Sequence, residues 1–488
     1  MYDAAIIGAG VTGCAAAREL ARYKLKTVIL EKSSDVAAGA SRANSGIVHA
    51  GYDSPKDSLM AKLNVSGNVL MEGLCRELDV EFRRIGSLVV AYDEDGAEKV
   101  RELYERGGYN GVPDLQIITG EAAEQMEPNL KKGMVNALYA PTAGIVCPYQ
   151  LTLALAENAV HNGARLQLNT EVTRIQKTRK GFKITVKNGK TFHARYIVNA
   201  AGVYADEINA LAGAESFSIT PRKGEYLLFE KGTGDAVKHV VFQTPTPMGK
   251  GILLTATVDG NLLAGPTAVD IQDKEDVETT YEGGLLIERS MAKLAPGLRP
   301  GGSITRYAGL RAVMKDRDDF CIEISKKVQG WITAGGICSP GLTSAPATGK
   351  YIAQLLQEAG LEMEEKTDFD PVRRECTPFR DMDDEERIRA IIANPLYGRI
   401  LCRCEMVSEA EIVAAIHGPV PATTLDAIKR RTRAGMGRCQ SGFCMDKVMK
   451  VIARETGIPF RDILKEEKDS YVIPPNAFRK RADGRREG

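Results

Sequence analysis

Four cysteines near the C-terminal end of the chain have types and spacing that could do chemistry. One residue separates Cys402 from Cys404, and 34 residues later Cys439 and Cys444 enclose four residues. Four thiolates in two close pairs could hold one metal ion or one iron–sulfur cluster. A structural zinc site usually places two residues within each pair, so this spacing fits zinc poorly. The cysteines therefore predict a metal or cluster site of the residues Cys402, Cys404, Cys439 and Cys444.

A glycine motif at the other end of the chain could bind a dinucleotide. Gly8, Gly10 and Gly13 form a G-x-G-x-x-G between a predicted strand over 2–7 and a predicted helix over 12–23. The first glycine allows a tight turn, the second lets the backbone approach a pyrophosphate, and the third allows close helix–strand packing. The helix N-terminus adds free N–H groups and a partial positive charge.

Glu31 ends a second predicted strand over 27–30, 18 residues after Gly13. A carboxylate there can accept hydrogen bonds from ribose hydroxyls, and it disfavours the 2′-phosphate of NADP. The fingerprint alone does not decide between FAD and NAD.

Three later segments carry a resemblance to a known family. They are a small-residue loop over 39–51, a strand running into a glycine turn over 197–202, and a glycine turn at a helix start over 335–343. At these points the sequence resembles the D-amino-acid-oxidase-type FAD-dependent oxidoreductases, which include glycerol-3-phosphate dehydrogenases and L-2-hydroxyglutarate oxidases. The resemblance covers roughly residues 1 to 358.

The resemblance implies that the cofactor is FAD. The loop over 41–46 would lie along the pyrophosphate and flavin, and Val172 would meet the adenine side. The loop over 336–343 would point backbone N–H groups at the flavin pyrimidine, where a reduced flavin carries negative charge. The residues implied to bind FAD are Gly8, Gly10, Val11, Thr12, Gly13, Glu31, Lys32, Ser41, Arg42, Asn44, Ser45, Gly46, Val172, Ala201, Gly202, Gly336, Ser339, Gly341, Leu342 and Thr343.

The candidates for the catalytic site are His49, Arg311, Tyr226 and Arg317. Of the five histidines, only His49 lies in a segment that the resemblance brings to the flavin, where it either acts on the substrate or merely packs. The segment 307–319 resembles the one whose arginines hold the substrate anion in glycerol-3-phosphate dehydrogenases, and guanidinium suits a phosphate or carboxylate. The alternative for Arg311 is a structural salt bridge to a carboxylate such as Glu225.

The flavin loop departs from the glycerol-3-phosphate dehydrogenase pattern at Gly341, near which that group typically has a lysine. The sequence 339–344 is more similar to the 2-hydroxyglutarate and amino-acid oxidases. This departure keeps an L-2-hydroxy acid open as the substrate.

The cysteine region resembles the bacterioferritin-associated-ferredoxin type of [2Fe–2S] domain, in the version fused behind some anaerobic glycerol-3-phosphate dehydrogenase large subunits. Gly435, Gly437 and Gly442 would let backbone N–H groups approach the cluster sulfurs, and Arg431, Arg433 and Arg438 would offset its negative charge. A flavin followed by a one-electron cluster favours a dehydrogenase that delivers electrons to a separate acceptor over an oxidase.

The resemblance thus implies an FAD-dependent dehydrogenase of a small anionic secondary alcohol. The foremost substrate is sn-glycerol 3-phosphate, oxidised to dihydroxyacetone phosphate, and L-2-hydroxyglutarate is the alternative. A further alternative is an electron-transfer subunit of an amino-acid or opine dehydrogenase complex. The expected partner is a second flavoprotein or an electron-acceptor subunit, with membrane contact only through that partner.

These residues must be positioned by a two- or three-domain chain, since 488 residues exceed one hydrophobic core. The expected fold class is α/β: a Rossmann-like FAD-binding domain over 1–80, 145–215 and 330–360, with an antiparallel-sheet α+β substrate domain over 81–144 and 216–329. A linker over 361–398, a small helical iron–sulfur domain over 399–467 and a basic tail over 468–488 follow. Between 220 and 324 the pattern predicts mainly strands.

The bulk composition excludes some classes of function. A formal net charge of +1 gives no argument for nucleic-acid binding. No stretch approaches the roughly 20 apolar residues that cross a bilayer. The N-terminal residues lack a basic n-region and read as a folded strand, so we expect a cytoplasmic protein.

Overall fold

The computed structural model describes residues 1–244, 251–298, 301–373 and 377–475. These fall into two units, Met1–Glu375 and Cys376–Gly488, each of which is described by itself.

The strands of the first unit are, in chain order, β1 (Tyr2–Ile7), β2 (Thr27–Leu30), β3 (Ile47–Val48), β4 (Phe82–Arg83), β5 (Ser87–Ala91), β6 (Gln116–Thr119), β7 (Asn136–Ala140), β8 (Gly144–Val146), β9 (Arg165–Gln167), β10 (Val172–Thr178), β11 (Gly181–Val186), β12 (Thr191–Asn199), β13 (Ile219–Lys231), β14 (Val240–Gln243), β15 (Leu253–Ala256), β16 (Asn261–Gly265), β17 (Val269–Asp270), β18 (Ser303–Met314), β19 (Cys321–Ile324) and β20 (Trp331–Gly335). Its helices are α1 (Val11–Leu20), α2 (Leu59–Glu77), α3 (Glu94–Tyr109), α4 (Gly120–Met126), α5 (Pro148–His161), α6 (Ala205–Ala212), α7 (Tyr281–Leu294) and α8 (Gly341–Glu358).

An eight-stranded sheet carries the glycine motif. Its order is β10-β11-β12-β1-β2-β9, with β20 beside β12 and β19 beside β20. Strands β12, β1, β2 and β9 run parallel, as does β20 beside β12, whereas β10 and β11 form an antiparallel extension. Because β1, β2 and β20 are buried along nearly their whole length, they are continuous apolar runs rather than alternating ones.

A second, nine-stranded sheet has the order β17-β13-β16-β15-β14-β5-β7-β6, with β18 beside β13. Its pairings are antiparallel except for β14 against β5. The long pair β13 and β18 places Arg222 opposite Arg311 and Tyr226 opposite Tyr307. Strands β3, β8 and β4 form a small third sheet.

Strands dominate between 220 and 324, as expected, but the sequence did not predict helix α7 among them. Its first turn contains Gly283 and Gly284, which weaken the helical signal in the sequence. The structure requires a small residue there, because a Cβ on Gly283 would lie 2.5 Å from the Glu225 carboxylate oxygens.

The second unit is helical, with a short hairpin of β21 (Ile400–Cys402) and β22 (Val407–Ser408). Its helices are α9 (Asp384–Ala393), α10 (Glu409–His417), α11 (Leu425–Thr432) and α12 (Met445–Thr456). Apolar side chains of α10, α11 and α12, including Ile412, Ile428 and Ile452, form its core.

The predicted linker and tail both contain structure. Residues 361–373 pack on the first unit, where the Lys24 backbone N–H donates to Glu364 and Arg373 pairs with Glu157 at 2.5 Å. The start of the predicted tail belongs to the second unit, because Tyr471 bridges to Leu464. The arginine-rich end of the tail lies outside the described residues.

The predicted α/β class, with its FAD-type sheet and small helical C-terminal unit, is confirmed. The exact domain bounds stay a prediction. In the described part of the chain, no helix has both the length and the apolar character to cross a membrane.

Candidate active site and cluster site

The glycine loop leaves the N-terminus of α1 open. The N-cap residue is Gly10, which has no side chain with which to cap the helix, whereas the N-cap side chains of Ser58 and Asp93 cap α2 and α3. Val11 donates its backbone N–H to Ser41 Oγ at 2.8 Å, which ties the loop after β2 to the glycine loop. The remaining N–H groups of the first turn are donors suited to a pyrophosphate, which Gly10, Val11, Thr12 and Gly13 would surround.

Glu31 is held against the same loop. Its Oε2 accepts from the Ala9 N–H at 2.6 Å and its Oε1 accepts from the Ser33 N–H at 2.9 Å. Burial raises the pKa of Glu31, and these two hydrogen bonds oppose that shift by stabilising the carboxylate. A fixed carboxylate beside a glycine turn fits a ribose diol.

The flavin loop over 39–46 is shaped by its own asparagine and by the second sheet. Asn44 donates from Nδ2 to the Ala40 carbonyl at 3.0 Å and accepts from the Gly46 N–H at 2.9 Å. Strand β18 lies directly against this loop, since a Cβ on Gly309 would stand 1.9 Å from the Ala43 carbonyl oxygen. The Tyr307 hydroxyl donates to the Asn44 carbonyl at 3.2 Å. The second sheet therefore packs, through β18, directly against the predicted flavin loop.

His49 makes two contacts at the start of α8, one with the loop before the helix and one with its first turn. The His49 backbone N–H donates to Thr343 Oγ1 at 2.9 Å, and its Nε2 lies 3.3 Å from Ser339 Oγ. The N-cap residue of α8, Pro340, makes no side-chain cap, and the Gly341 N–H donates to the Cys338 carbonyl, so the N–H groups of Leu342 and Thr343 are the ones that a ligand could reach. Two uncapped helix ends and a buried carboxylate are the donor and acceptor set that FAD requires.

The His49 side chain is positioned by residues that the sequence did not single out. Its ring lies 5.9 Å from the Phe242 ring, and its carbonyl accepts from Asn68 Nδ2 at 2.9 Å. A small cleft runs beside it, lined in part by Tyr52 and Gln243. Asn68 and Phe242 come from α2 and β14, so no local pattern points to them.

Arg311 holds its guanidinium through backbone carbonyls. It donates from Nη2 to the Thr267 carbonyl at 2.6 Å and from Nε to the Arg222 carbonyl at 3.3 Å. The alternative salt bridge to Glu225 is not observed among the described residues, because that carboxylate accepts from Thr280 N and Oγ1 instead. Burial lowers the pKa of Arg311, yet an arginine keeps its charge.

Tyr226 and Arg317 differ in how they relate to this site. Tyr226 is buried and stacked on Tyr307 at 4.9 Å, and burial raises its pKa to about 12, so it stays a neutral hydroxyl. Arg317 Nη1 pairs with Glu323 Oε2 at 3.1 Å on β19. The structure thus brings Tyr226, Arg311 and the His49 region towards the flavin loop and leaves Arg317 in an ion pair elsewhere.

The other predicted FAD residues lie at the ends of strands of the first sheet and in the loops next to them. Val172 is buried at the start of β10, Ala201 donates its N–H to Asn199 Oδ1 at 3.2 Å, and Gly202 has φ +59°. The half-buried Arg42, Ser45 and Leu342 and the positive-φ glycines Gly46 and Gly336 complete the loops, with Gly341 as the first residue of α8.

The side chains of Lys32, Tyr204 and Glu275 contact one another beside Glu31 and connect the two sheets. Lys32 Nζ lies 2.8 Å from Glu275 Oε1 and 3.8 Å from the centre of the Tyr204 ring, and the Tyr204 hydroxyl donates to Glu275. Lys274 adds a 2.7 Å ion pair to Asp206. The sequence signals this segment only as a run of charges over 270–276.

The four clustered cysteines come together in the second unit. Cys404 Sγ lies 3.6 Å from Cys439 Sγ, and a hydrogen bond with Cys444 lowers the pKa of Cys402. Cys402 and Cys444 are buried, while Cys439 is half-buried and Cys404 exposed. Cys444 is also the N-cap of α12, and its hydrogen bond with Cys402 raises the pKa of Cys444. Four converging thiols of this kind fit a [2Fe–2S] cluster.

Glycines and arginines surround these thiols. A Cβ on Gly437 would lie 2.3 Å from Cys404 Cβ, so only glycine allows that approach. Of the arginines expected to offset the cluster charge, Arg433 pairs with buried Glu405 at 2.8 Å, and Arg431 donates to the Val420 carbonyl at 2.9 Å. Arg438 is exposed.

Comparison with known proteins identifies the family of each part of the chain. Residues 3–355 match the family described as FAD dependent oxidoreductase, which is more than two thirds of the chain. The chain belongs to this family. Residues 400–454 match the BFD-like [2Fe-2S] binding domain. FAD and a [2Fe–2S] cluster are therefore the cofactors of this FAD dependent oxidoreductase.

Relatives of this FAD dependent oxidoreductase include a glycerol 3-phosphate dehydrogenase of Caloramator mitchellensis, 46% identical over 97% of this chain and 98% of the relative. The human mitochondrial L-2-hydroxyglutarate dehydrogenase is 31% identical over 66% of this chain and 74% of its own length. Among solved structures, the dithionite-reduced L-alpha-glycerophosphate oxidase from Mycoplasma pneumoniae with FAD bound has a TM-score of 0.73 and 32% identity, covering 77% of this chain and 99% of that one.

Proposed function

We propose that this protein is an FAD-dependent dehydrogenase that oxidises sn-glycerol 3-phosphate to dihydroxyacetone phosphate and passes the electrons through its [2Fe–2S] cluster to a separate acceptor. The observation that carries the proposal is the 46% identity to a glycerol 3-phosphate dehydrogenase over 97% of this chain, a span that takes in both the flavin unit and the cysteine unit.

The site residues support an anionic substrate. Arg311 is fixed by backbone carbonyls rather than by a carboxylate, so its charge is available to a phosphate. A half-buried guanidinium of this kind suits an anion better than a lysine because it presents several donors in a plane. Tyr226, neutral beside it, supplies a further hydroxyl.

The alcohol loses one hydride and one proton when it becomes a ketone. The bound flavin supplies the hydride acceptor. The chain's own task is to hold the alcohol and to take its hydroxyl proton, for which His49 Nε2 is the proposed acceptor. Ser339 Oγ, 3.3 Å from that nitrogen, orients the ring, and Phe242 restricts its tilt. Positioned proton transfer of this kind contributes about 10²–10⁴-fold in rate.

A 2-hydroxy acid is the second candidate. Gly341 stands where the glycerol-3-phosphate dehydrogenase group typically has a lysine, and a Cβ there would lie 2.6 Å from Ile337 Cγ2. The L-2-hydroxyglutarate dehydrogenase relative is consistent with that departure. An electron-transfer subunit with substrate oxidation on another chain is the third.

An anaerobic panel of substrates separates these functions. Bleaching of the flavin absorbance by sn-glycerol 3-phosphate, and not by L-2-hydroxyglutarate or glycerol, is expected. Bleaching by L-2-hydroxyglutarate alone would mean that the substrate is L-2-hydroxyglutarate and not sn-glycerol 3-phosphate. If no alcohol or amino acid bleaches the flavin, but another reduced flavoprotein reduces it rapidly, the protein is an electron-transfer subunit and does not oxidise the substrate itself. We further propose that the protein acts in the cytoplasm, with the acceptor as its partner.

A further inference from the structure

One edge of the predicted cluster reaches the protein surface. Cys402 and Cys444 are 1% and 2% exposed, whereas Cys404 is exposed and Cys439 half-buried. Since electron transfer falls steeply with distance, single electrons leave most readily through the Cys404–Cys439 edge. The residues beside these two cysteines therefore determine which molecule can approach.

The exposed side chains that flank the cysteines in the chain are here called the cluster face: Arg403 and Met406 near Cys404, Arg438 beside Cys439, and Phe443 and Met445 on either side of Cys444. Each lies within two positions of a cysteine of the cluster site, and all five are exposed. Phe443 is 81% exposed, the largest fraction for any large apolar side chain in the described residues, and Met406 and Met445 are 40% and 38% exposed. Exposed aromatic, methionine and arginine side chains are the types enriched at the centres of protein interfaces.

The loop backbone holds Phe443 outward. Gln440 and Ser441 both have positive φ, +47° and +73°, conformations that non-glycine residues rarely adopt. The Met445 N–H donates to the Ser441 carbonyl at 3.1 Å, and the Cys444 N–H donates to it at 3.2 Å. A strained loop that exposes a phenylalanine costs stability, so packing alone gives no reason for it.

The charged side chains of the cluster face are two arginines, Arg403 and Arg438, which stand beside the negative charge of the cluster's thiolates. Of the acidic residues within two positions of the four cysteines, Glu405 is buried and paired with Arg433, and Asp446 pairs with Lys450 at 3.4 Å. The guanidinium groups of Arg403 and Arg438 stand on long side chains, so an approaching surface meets them before the thiolates. A negatively charged surface would be attracted and a positively charged one repelled.

We propose that the cluster face docks an acidic one-electron carrier protein, with Phe443 as the apolar anchor and Arg403 and Arg438 as the steering charges. The proposal rests on the proposed function, in which the cluster is the electron exit. Each alcohol oxidised yields two electrons, so two carrier molecules are reduced by one electron each, and two protons are released to solvent.

Oxidised rubredoxin, a small acidic iron protein, is the probe, and basic cytochrome c is its counterpart. The full-length holoprotein is reduced with dithionite, freed of excess reductant, and mixed with each carrier in a stopped-flow instrument. The wild-type protein should reduce rubredoxin with a rate constant that falls as salt rises, because exposed charges are screened within about 10 Å at 0.1 M salt.

Arg403→Gln combined with Arg438→Gln should lower the rubredoxin rate about tenfold at low salt and little at high salt. Phe443→Ser should weaken rubredoxin binding about tenfold at both salt concentrations. The matched controls are Ile392→Ser, an equally apolar side chain 78% exposed on α9, and Arg461→Gln combined with Lys468→Gln, two exposed charges away from the cysteines; both should match the wild type.

Iron content and the reduction potential of the cluster are measured on every variant. A rate loss that merely follows a shifted potential would mean that the arginines only offset the cluster charge, and would overturn the docking proposal. Equal rubredoxin rates in all variants, or faster reaction with cytochrome c at low salt, would also overturn it. Because dithionite loads the cluster, normal transfer to rubredoxin without flavin bleaching by glycerol 3-phosphate would overturn the proposed substrate and leave docking intact.

Discussion

Replacing Gly10 and Gly13 separately with alanine tests the two different reasons for glycine in the dinucleotide loop. A Cβ on Gly13 would stand 2.0 Å from the Gly8 carbonyl oxygen and 3.3 Å from Ile6 Cγ2. The first of these is a backbone atom at the centre of the β1–α1 turn and cannot rotate away. Overpacking of this kind costs about 1–3 kcal/mol, so Gly13→Ala should destabilise the protein by roughly that amount with or without FAD.

Gly10 is different, because a Cβ there would meet only Ser41 Oγ, at 3.2 Å. Its φ of −74° and ψ of 176° are open to any L-residue. The free energy of unfolding of the FAD-free protein should therefore change by less than about 1 kcal/mol. The added methyl, however, occupies the space at the uncapped end of α1 through which a pyrophosphate would approach. We expect at least a tenfold loss of FAD affinity, which is about 1.4 kcal/mol.

The assay is urea unfolding of both FAD-free variants together with FAD titration by quenching of flavin fluorescence. Gly10→Ala should lose most of the stabilisation that added FAD gives the wild type, since that stabilisation follows the ratio of FAD concentration to dissociation constant. The reasoning fails if Gly10→Ala binds FAD as tightly as the wild type, or if Gly13→Ala is as stable as the wild type.

Three further outcomes follow from the sites. Arg311→Gln should raise KM for glycerol 3-phosphate at least tenfold and leave the flavin spectrum unchanged, whereas Arg317→Gln should change KM far less; equal effects would remove Arg311 from the anion site. Cys439→Ser should lower the iron content and block electron delivery to an external one-electron acceptor while flavin bleaching persists, and undiminished delivery would contradict the relay. Glu275→Gln should speed FAD dissociation up to about fivefold, because an exposed ion pair is worth about 0.2–1 kcal/mol, and salt should have the same effect on the wild type; a dissociation rate indifferent to both would mean that the Lys32–Glu275 contact does not retain the cofactor.

The local parts of the fold could be read from the sequence. Strands β1 and β2 match their predicted bounds, since a buried apolar run followed by a glycine turn leaves few alternatives. The sequence predicts that the glycine loop and Glu31 lie together, because one β-α-β unit fixes their spacing. Helix α7 is not predicted from the sequence, because its two early glycines weaken the helical pattern. They are needed for close contact with Glu225 and Arg306, which lie far away in the chain.

The candidate site depends more on contacts between distant segments. Ser339 approaches His49 across 290 residues, and Arg311 donates to a carbonyl 44 residues away. No periodicity or propensity encodes such pairs, because they arise only when segments that are distant in the chain pack together. The residues Asn68, Phe242 and Glu275 were missed for the same reason. The predicted roles of the site residues stay predictions.

The most direct test of the electron relay is rapid mixing of the anaerobic, oxidised holoprotein with sn-glycerol 3-phosphate, followed by both the flavin absorbance and the paramagnetic resonance signal of the reduced cluster. The relay predicts that flavin bleaching comes first and that the cluster signal then grows at the expense of the reduced flavin. In Cys439→Ser only the bleaching should remain. A flavin that bleaches fully while the intact cluster stays oxidised would contradict the account.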